Sequence, residues 1–341
     1  MSKFTGSKFV SVCNSGTSSI LLAFLSIGLK KNDIVIMPSI NFIASYNMAK
    51  FLGAKIYLAD VDYENGQMSP QNVLDCCKKF KIKKVKVIVP MYMGGFPENA
   101  SNFFKLKKKL NCFIIEDACH ALGAKYKFKN KTYKIGSCKH SDLSTFSLHP
   151  LKSITTGEGG VVCTNNKNLD NKIKLLRSHG LIRNPKKHWV YNIKFPGFNF
   201  RINDFQCALG ISQLKKANKF INKRKNIYNY YRLKFKNFSF LKFPKYSLAN
   251  ESSFHLCLVN FKNFDINKKN KFIKFMIKSK IIVQYHYIPI YKFDLSQEKY
   301  FSKNSKKFYN STISIPIYYE LSKKMQNYII KKIKYFFIKK N

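Results

Sequence analysis

The sequence has little negative charge. Seventeen Asp and Glu residues stand against 62 Lys and Arg, a formal net charge of +45 over 341 residues. Such a chain has few carboxylates to spare for a cation site, and its field favours anionic partners, from phosphate polymers to doubly charged nucleotide-sugars. The lysines run along the whole chain rather than gathering on one arm, so no specific nucleic-acid partner is expected. Long apolar runs are also missing. The longest, Ile20–Leu29, falls far short of the ~20 residues of a membrane helix, so no membrane partner is expected. Lys3 and Lys8 precede that run as they would in a secretory signal. No small-residue cleavage site follows it, and Lys30-Lys31 does, so a signal is not expected either. Cysteine is present nine times, an odd number, with no CxxC pair. Cys76-Cys77 is the one cluster, and adjacent thiols are poorly placed to share a metal. No metal is expected, and scattered thiols suit a reducing cytoplasm and mostly buried, inert side chains.

What is present is 45% apolar residue content and a length that suggests two domains. Short runs rich in Val and Ile, bounded by Gly, Pro, Asn or Asp, predict strands at Ile34–Met37, Lys55–Ala59, Val85–Val89, Phe113–Glu116, Asp142–Ser147 and Val161–Thr164. Segments of helical length lie between them: Ser18–Gly28, Asn41–Leu52, Pro70–Phe80, Ala100–Leu110 and Leu169–His179. Alternation of this kind predicts a mostly parallel sheet covered on both faces, with ligands at the carboxyl ends of its strands. From Asp204 the texture changes. Leu214, Ile221, Tyr228 and Tyr231 share one face of a long basic helix. Strands at Phe254–Phe261 and Ile281–Ile290 and helices at Asn267–Ser279 and Ser322–Phe337 then predict a smaller α+β domain. The division is placed between residues 1–215 and 216–341.

Three motifs carry chemistry when read together. Asn14-Ser15-Gly16-Thr17-Ser18 precedes a helix, and free N–H groups and hydroxyls at a positive helix end suit a phosphate. Taken alone it reads as an ordinary N-cap. Ile114 to His120 sets Glu116 and Asp117 at the end of an apolar strand, where an acid faces the ligand crevice or simply caps a helix. Ser144 to Lys152 runs from a strand into a loop, followed by Thr155-Thr156-Gly157-Glu158-Gly159-Gly160. A lysine just beyond a sheet end can serve as an amine nucleophile. In a chain this rich in lysine, only its place after Ser147 and Asp117 singles it out.

Together with Pro38–Phe42, Gly197–Gln213 and Gln284–Pro289, these stretches lie in the order found in the DegT/DnrJ/EryC1/StrS family of sugar aminotransferases, which the chain resembles over nearly its whole length. The resemblance implies a type I pyridoxal-phosphate (PLP) transferase fold of the aspartate aminotransferase kind, in which a large mostly parallel-sheet domain carries a small C-terminal α+β domain. It implies that Lys152 holds the cofactor as a Schiff base and then moves the proton. Asp117 would pair with the cofactor's ring nitrogen, while Thr17, Ser18 and Ser147 would bind its phosphate. Phe42 would pack on the ring, and His120 would sit near the phenolic oxygen. Asn199 would reach the cofactor phosphate of the other subunit of a homodimer. Phe42 and His120 each have a plainer reading, as core and as a structural histidine.

Leu176 to Arg183 and Gln284 to Pro289 resemble one branch of the family. That branch transfers an amino group, with L-glutamate as donor, to C4 of a UDP-linked 4-keto-6-deoxy-N-acetylhexosamine on the route to pseudaminic acid. His179, His286 and Tyr287 would then line the sugar pocket. Other branches act on dTDP-linked or other UDP-linked keto-sugars and share these motifs loosely. Family members also carry an N-terminal helix and a Gly-containing loop ahead of the stretch matching Phe4 to Lys8. The expectation is that this part is encoded upstream, or that the chain is a truncated copy with little activity.

Overall fold

The computed structural model of the chain describes residues 1–187, 189–294, 299–300 and 302–338. At its centre is an eight-stranded sheet made of β1 (Phe9–Cys13), β2 (Ile34–Pro38), β3 (Lys55–Ala59), β4 (Val87–Ile88), β5 (Phe113–Asp117), β6 (Leu143–Ser147), β7 (Gly160–Thr164) and β8 (Lys299–Tyr300). Their spatial order is β1-β7-β6-β5-β4-β2-β3-β8. β7 runs antiparallel to both of its neighbours, β1 and β6, and the remaining pairings are parallel. The sheet is therefore mostly parallel, as the alternation predicts. Its central strands are buried on both faces, which is why they read as continuous Val and Ile runs rather than alternating ones.

Helices α1 (Gly16–Ser26), α2 (Ala44–Phe51), α3 (Pro70–Lys79), α4 (Ala100–Leu110) and α5 (Lys167–Arg177) cover the sheet. Their starts are written locally. The Ser15 hydroxyl accepts from Ser18 N–H at the head of α1, Ser69 and Asn72 form a capping box with Pro70 behind it at α3, and Asn166 caps α5. α1, α2 and α5 bury Leu22, Phe24, Ala49, Ile173 and Leu176 in one core with Val35, Met37 and Ile115 of the sheet.

α6 (Asp204–Lys234) begins with an Asn203–Gln206 capping box and runs for 31 residues. Ala217, flanked by Leu214 and Phe220, packs with Phe146 and Leu148 of the large unit. Further on, Ile227, Tyr228 and Tyr231 belong to the core of the smaller unit. Residue 215 thus lies inside a helix that serves both cores. The smaller unit has a three-stranded antiparallel sheet, ordered Leu241–Lys242, Cys257–Phe261, Thr312–Ile315, packed by α7 (Ile266–Lys278) and α8 (Lys323–Ile338). Its core is largely aromatic: the Phe261, Phe272 and Phe337 rings lie 4.8–6.3 Å apart.

One expected strand does not form. Ile281–Ile290 makes only an isolated bridge, Gln284 to Ser314. Beyond it the chain turns away to deliver His286 and Tyr287 to the large unit, and Pro289 has no N–H with which to continue a ladder. The strands Phe9–Cys13 and Thr312–Ile315 are additions to the sequence reading. Among the described residues no helix is long and apolar enough to cross a membrane.

Candidate active site

The parallel strands point their carboxyl ends at one edge of the sheet, and the chemistry-bearing residues follow those ends. Alternation along β5 sends Glu116 and Asp117 to opposite faces. Glu116 is buried, accepts from Tyr92 Oη at 2.7 Å, and also accepts from the Ser144 hydroxyl. Burial pushes its carboxyl above the usual range, and the group holds the strands together. Asp117, equally buried, faces the crevice. Its Oδ2 accepts from Ser45 Oγ at 3.0 Å and from Asn41 Nδ2 at 3.4 Å, and its Oδ1 accepts from the Cys119 N–H at 3.3 Å. Three donors, from α2, the segment before it and the turn after β5, fix its orientation and leave lone pairs for a further donor.

A cradle forms where β1 passes into α1 and meets the end of β6. Ser15 caps the helix, and Ser18 Oγ lies 2.9 Å from Ser15 Oγ. Gly16 is pressed against the end of β6, where a Cβ would stand 2.7 Å from Ser147 Cβ. A Cβ on Gly160, in turn, would stand 2.0 Å from the Ser15 carbonyl oxygen. Only glycines allow the helix N-terminus to come this close to the Ser147 hydroxyl. Ser147 Oγ accepts from the His149 N–H at 3.3 Å. Asn14 Oδ1 is buried beside the cradle with no partner. Thr17 is exposed in the first helical turn, where N–H groups and the helix dipole favour an anion.

Lys152 is half-buried in the loop after β6. It lies near enough to Cys119, His120, His255 and His286 for its charge to act on each. His120 and His255 are buried with ring centroids 4.3 Å apart, and the Nδ1 of each is unpartnered. Burial, each other's proximity and Lys152 push His120 well below the usual imidazole range, and burial followed by Lys152 does the same to His255. His286 is lowered to about 4 by burial and then by Lys152. Three imidazoles that burial keeps neutral thus lie within range of the Lys152 charge. The Tyr287 hydroxyl lies 2.8 Å from His120 Nε2, and its ring lies 5.7 Å from that of Phe42. Burial, with Asp117 next, raises the Tyr287 phenol well above its ordinary value. A cleft of about 390 Å³ opens beside Phe42, Tyr287 and Ile288. A larger cavity of about 1540 Å³, between α6, residues 1–4 and residues 243–254, is lined by none of these residues.

The structure therefore gathers Asp117, His120, Ser147, Lys152, His286 and Tyr287, with Ser18 in the adjoining cradle and Phe42 on the rim, 52% exposed. His179 and Asn199 are exposed and lie one step away. Asn199 bridges Ser178, the His179 N–H donates to Phe198 O, and the Asn14 N–H donates to Phe200 O. Sequence reasoning missed Asn41, Ser45 and His255. Ser45 sits in a segment read only as a helix, Asn41 stands in Pro38–Phe42 with no role of its own assigned, and His255 looks like any lone histidine at the start of an apolar strand.

Comparison with known proteins agrees with this geometry. A model of the DegT/DnrJ/EryC1/StrS aminotransferase family matches residues 1–334. The UDP-4-amino-4,6-dideoxy-N-acetyl-beta-L-altrosamine transaminase of Campylobacter jejuni strain 81-176 is 35% identical over 333 residues, covering 96% of this chain and 85% of that enzyme. A GDP-perosamine synthase of Escherichia coli O157:H7 is 35% identical over 225 residues, 66% of this chain and 58% of that one. Among solved structures, Helicobacter pylori PseC, an aminotransferase involved in pseudaminic acid biosynthesis, superposes with a TM-score of 0.89 at 29% identity over 99% of this chain and 89% of that one.

Proposed function

The chain belongs to the DegT/DnrJ/EryC1/StrS aminotransferase family, and from that premise we propose that it moves an amino group from L-glutamate to C4 of a UDP-linked 4-keto-6-deoxy-N-acetylhexosamine, a step toward pseudaminic acid. It is a PLP-dependent nucleotide-sugar aminotransferase. The observation that carries the substrate reading is the 35% identity to the altrosamine transaminase across 96% of the chain.

The residues fit PLP. A glycine-lined cradle meets Ser147 at a helix N-terminus, the crevice-facing carboxylate of Asp117 has lone pairs free, and His120 Nδ1 is buried and unpartnered. Gly16, Thr17, Ser18 and Ser147 would hold the phosphate, and Asp117 the ring nitrogen. Phe42 would cover the ring, and His120 would meet its oxygen through Nδ1. Lys152 would hold the cofactor through its ε-amino group. When bound, PLP supplies the electron sink that allows a carbon–hydrogen bond next to an amine to ionise.

The protein's part is positioning and proton transfer. Lys152 Nζ takes a proton at the donor's α-carbon and later delivers one at C4 of the sugar. The neutral imidazoles of His120, His255 and His286 add no competing positive charge near that amine. Tyr287 holds His120 in place and walls the site toward the 390 Å³ cleft, with His286 and, farther out, His179 toward the sugar. The exposed Asn199 and the apolar surface around Leu151 and Phe205, 71% and 89% exposed, support a homodimer in which Asn199 reaches the cofactor phosphate of the other subunit. The test is to incubate the protein with PLP, L-glutamate and the UDP-4-keto sugar. The 4-amino sugar and 2-oxoglutarate are expected in equal amounts, and neither with Lys152→Ala. Amination of a dTDP- or GDP-linked keto-sugar in place of the UDP sugar would overturn the substrate reading and leave the chemistry standing.

A further inference from the structure

Resting on that reading of the sugar pocket, we propose that Ser314 is a positioning residue. It fixes the tautomer of His286, so that Nε2 presents a lone pair to a hydrogen-bond donor of the keto-sugar.

The case is a count of protons. Ser314 belongs to the strand Thr312–Ile315 and is bridged to Gln284 by two backbone bonds, Gln284 N–H to Ser314 O at 3.2 Å and Ser314 N–H to Gln284 O at 3.0 Å. This rung holds the Ser314 hydroxyl within reach of two groups at once. Its Oγ lies 3.1 Å from Gln284 O and 2.6 Å from His286 Nδ1. A hydroxyl has a single proton and a carbonyl has none. If the proton points at the Gln284 carbonyl, Oγ is free to accept from Nδ1–H and both contacts are satisfied. If it points at Nδ1 instead, two oxygens face each other at 3.1 Å with no hydrogen between them. The satisfied arrangement puts the ring proton on Nδ1 and leaves Nε2 as the acceptor.

That assignment agrees with the surroundings. Burial and the nearby Lys152 charge disfavour a doubly protonated His286 ring, which leaves it a neutral imidazole with one donor and one acceptor nitrogen. Among the described residues the His286 ring makes its hydrogen bond through Nδ1, to Ser314. On the next residue, the Tyr287 hydroxyl is already engaged by His120, so the acceptor that this segment offers to a sugar hydroxyl or acetamido N–H is His286 Nε2. Ser314 itself is buried and meets substrate only through the imidazole.

The direct test is the tautomer of His286 in the cofactor-free, ¹⁵N-histidine-labelled protein. Its signals can be picked out from those of the seven histidines by their loss in His286→Gln. A neutral ring protonated at Nδ1 is expected in the wild type, with a shift toward the Nε2-protonated form in Ser314→Ala. An Nε2-protonated ring in the wild type, or no response to Ser314→Ala, would overturn the assignment whatever the substrate. The second arm is kinetic. Ser314→Ala should raise KM for the keto-sugar about tenfold, the cost of one hydrogen bond, with the loss carried by KM rather than kcat. Ser314→Thr, which keeps the hydroxyl, should recover most of it. If the tautomer responds as expected but KM for the sugar stays at the wild-type value in both Ser314→Ala and His286→Gln, the placement of His286 in the sugar pocket fails and the role in recognition fails with it.

Discussion

At Gly16 an added Cβ would stand 2.7 Å from Ser147 Cβ and 3.0 Å from its hydroxyl oxygen. Neither neighbour is the free end of a flexible side chain, so Gly16→Ala has to open the cradle. Overpacking of this kind costs about 1–3 kcal/mol. The expected result is a folded protein whose affinity for PLP falls at least about tenfold in an absorbance titration, and unchanged affinity would mean that the phosphate sits elsewhere. Gly16 was legible because it stands in a short motif ahead of a helix, and Asp117 and Lys152 because each stands beyond an expected strand within one. Ser45 and Asn41 were not. Ser45 meets Asp117 across 72 residues of sequence, and a hydroxyl that orients a distant carboxylate has no local pattern. His255 was hidden for the same reason: its packing on His120 is a product of the tertiary fold alone.

Among the elements, α7 holds a lysine that an amphipathic reading would put in water. Lys269 is fully buried, its Nζ 4.2 and 4.3 Å from the ring centroids of Tyr285 and Tyr309, and it donates to the Tyr309 carbonyl. Burial, and then the charge of Lys292, lowers it from 10.5 to about 7. Between those values the unfolded chain binds the proton and the folded chain does not, so this group's contribution to stability rises with pH across that window, by at most about 1.4 kcal/mol per unit. Lys269→Met should therefore gain stability relative to wild type near pH 7 and lose that advantage toward pH 10 in urea unfolding. Parallel pH curves for the two proteins would contradict this. The strands of the large sheet were legible because burial on both faces leaves a continuous apolar run. Ile281–Ile290 misled because the same apolar texture serves a segment that leaves its sheet after one rung to carry His286 and Tyr287 into the site.

On the scale of the whole molecule, the surface near the site is more apolar than a free face needs to be. Leu151, Tyr191, Ile193 and Phe205 are 57–89% exposed, and exposed apolar side chains of this size are where the proposed homodimer would make its contact. Phe205→Asp should convert a dimer to a monomer in sedimentation. If Asn199 completes the neighbouring site, it should also weaken PLP binding. A dimer that survives the substitution would place the contact elsewhere. The fold class was legible from strand-helix alternation and motif order, whereas the joint between the units was not, because α6 is one uninterrupted helix that changes cores along its length. The account rests on Lys152 as the amine that holds PLP, and the absorption spectrum tests it most directly. With PLP added, the wild type should show the visible band of a cofactor bound through lysine, and L-glutamate should discharge it to the amine form. Lys152→Ala should show no such band. A wild type without the band, or a Lys152→Ala protein that keeps it, would contradict the account at its centre.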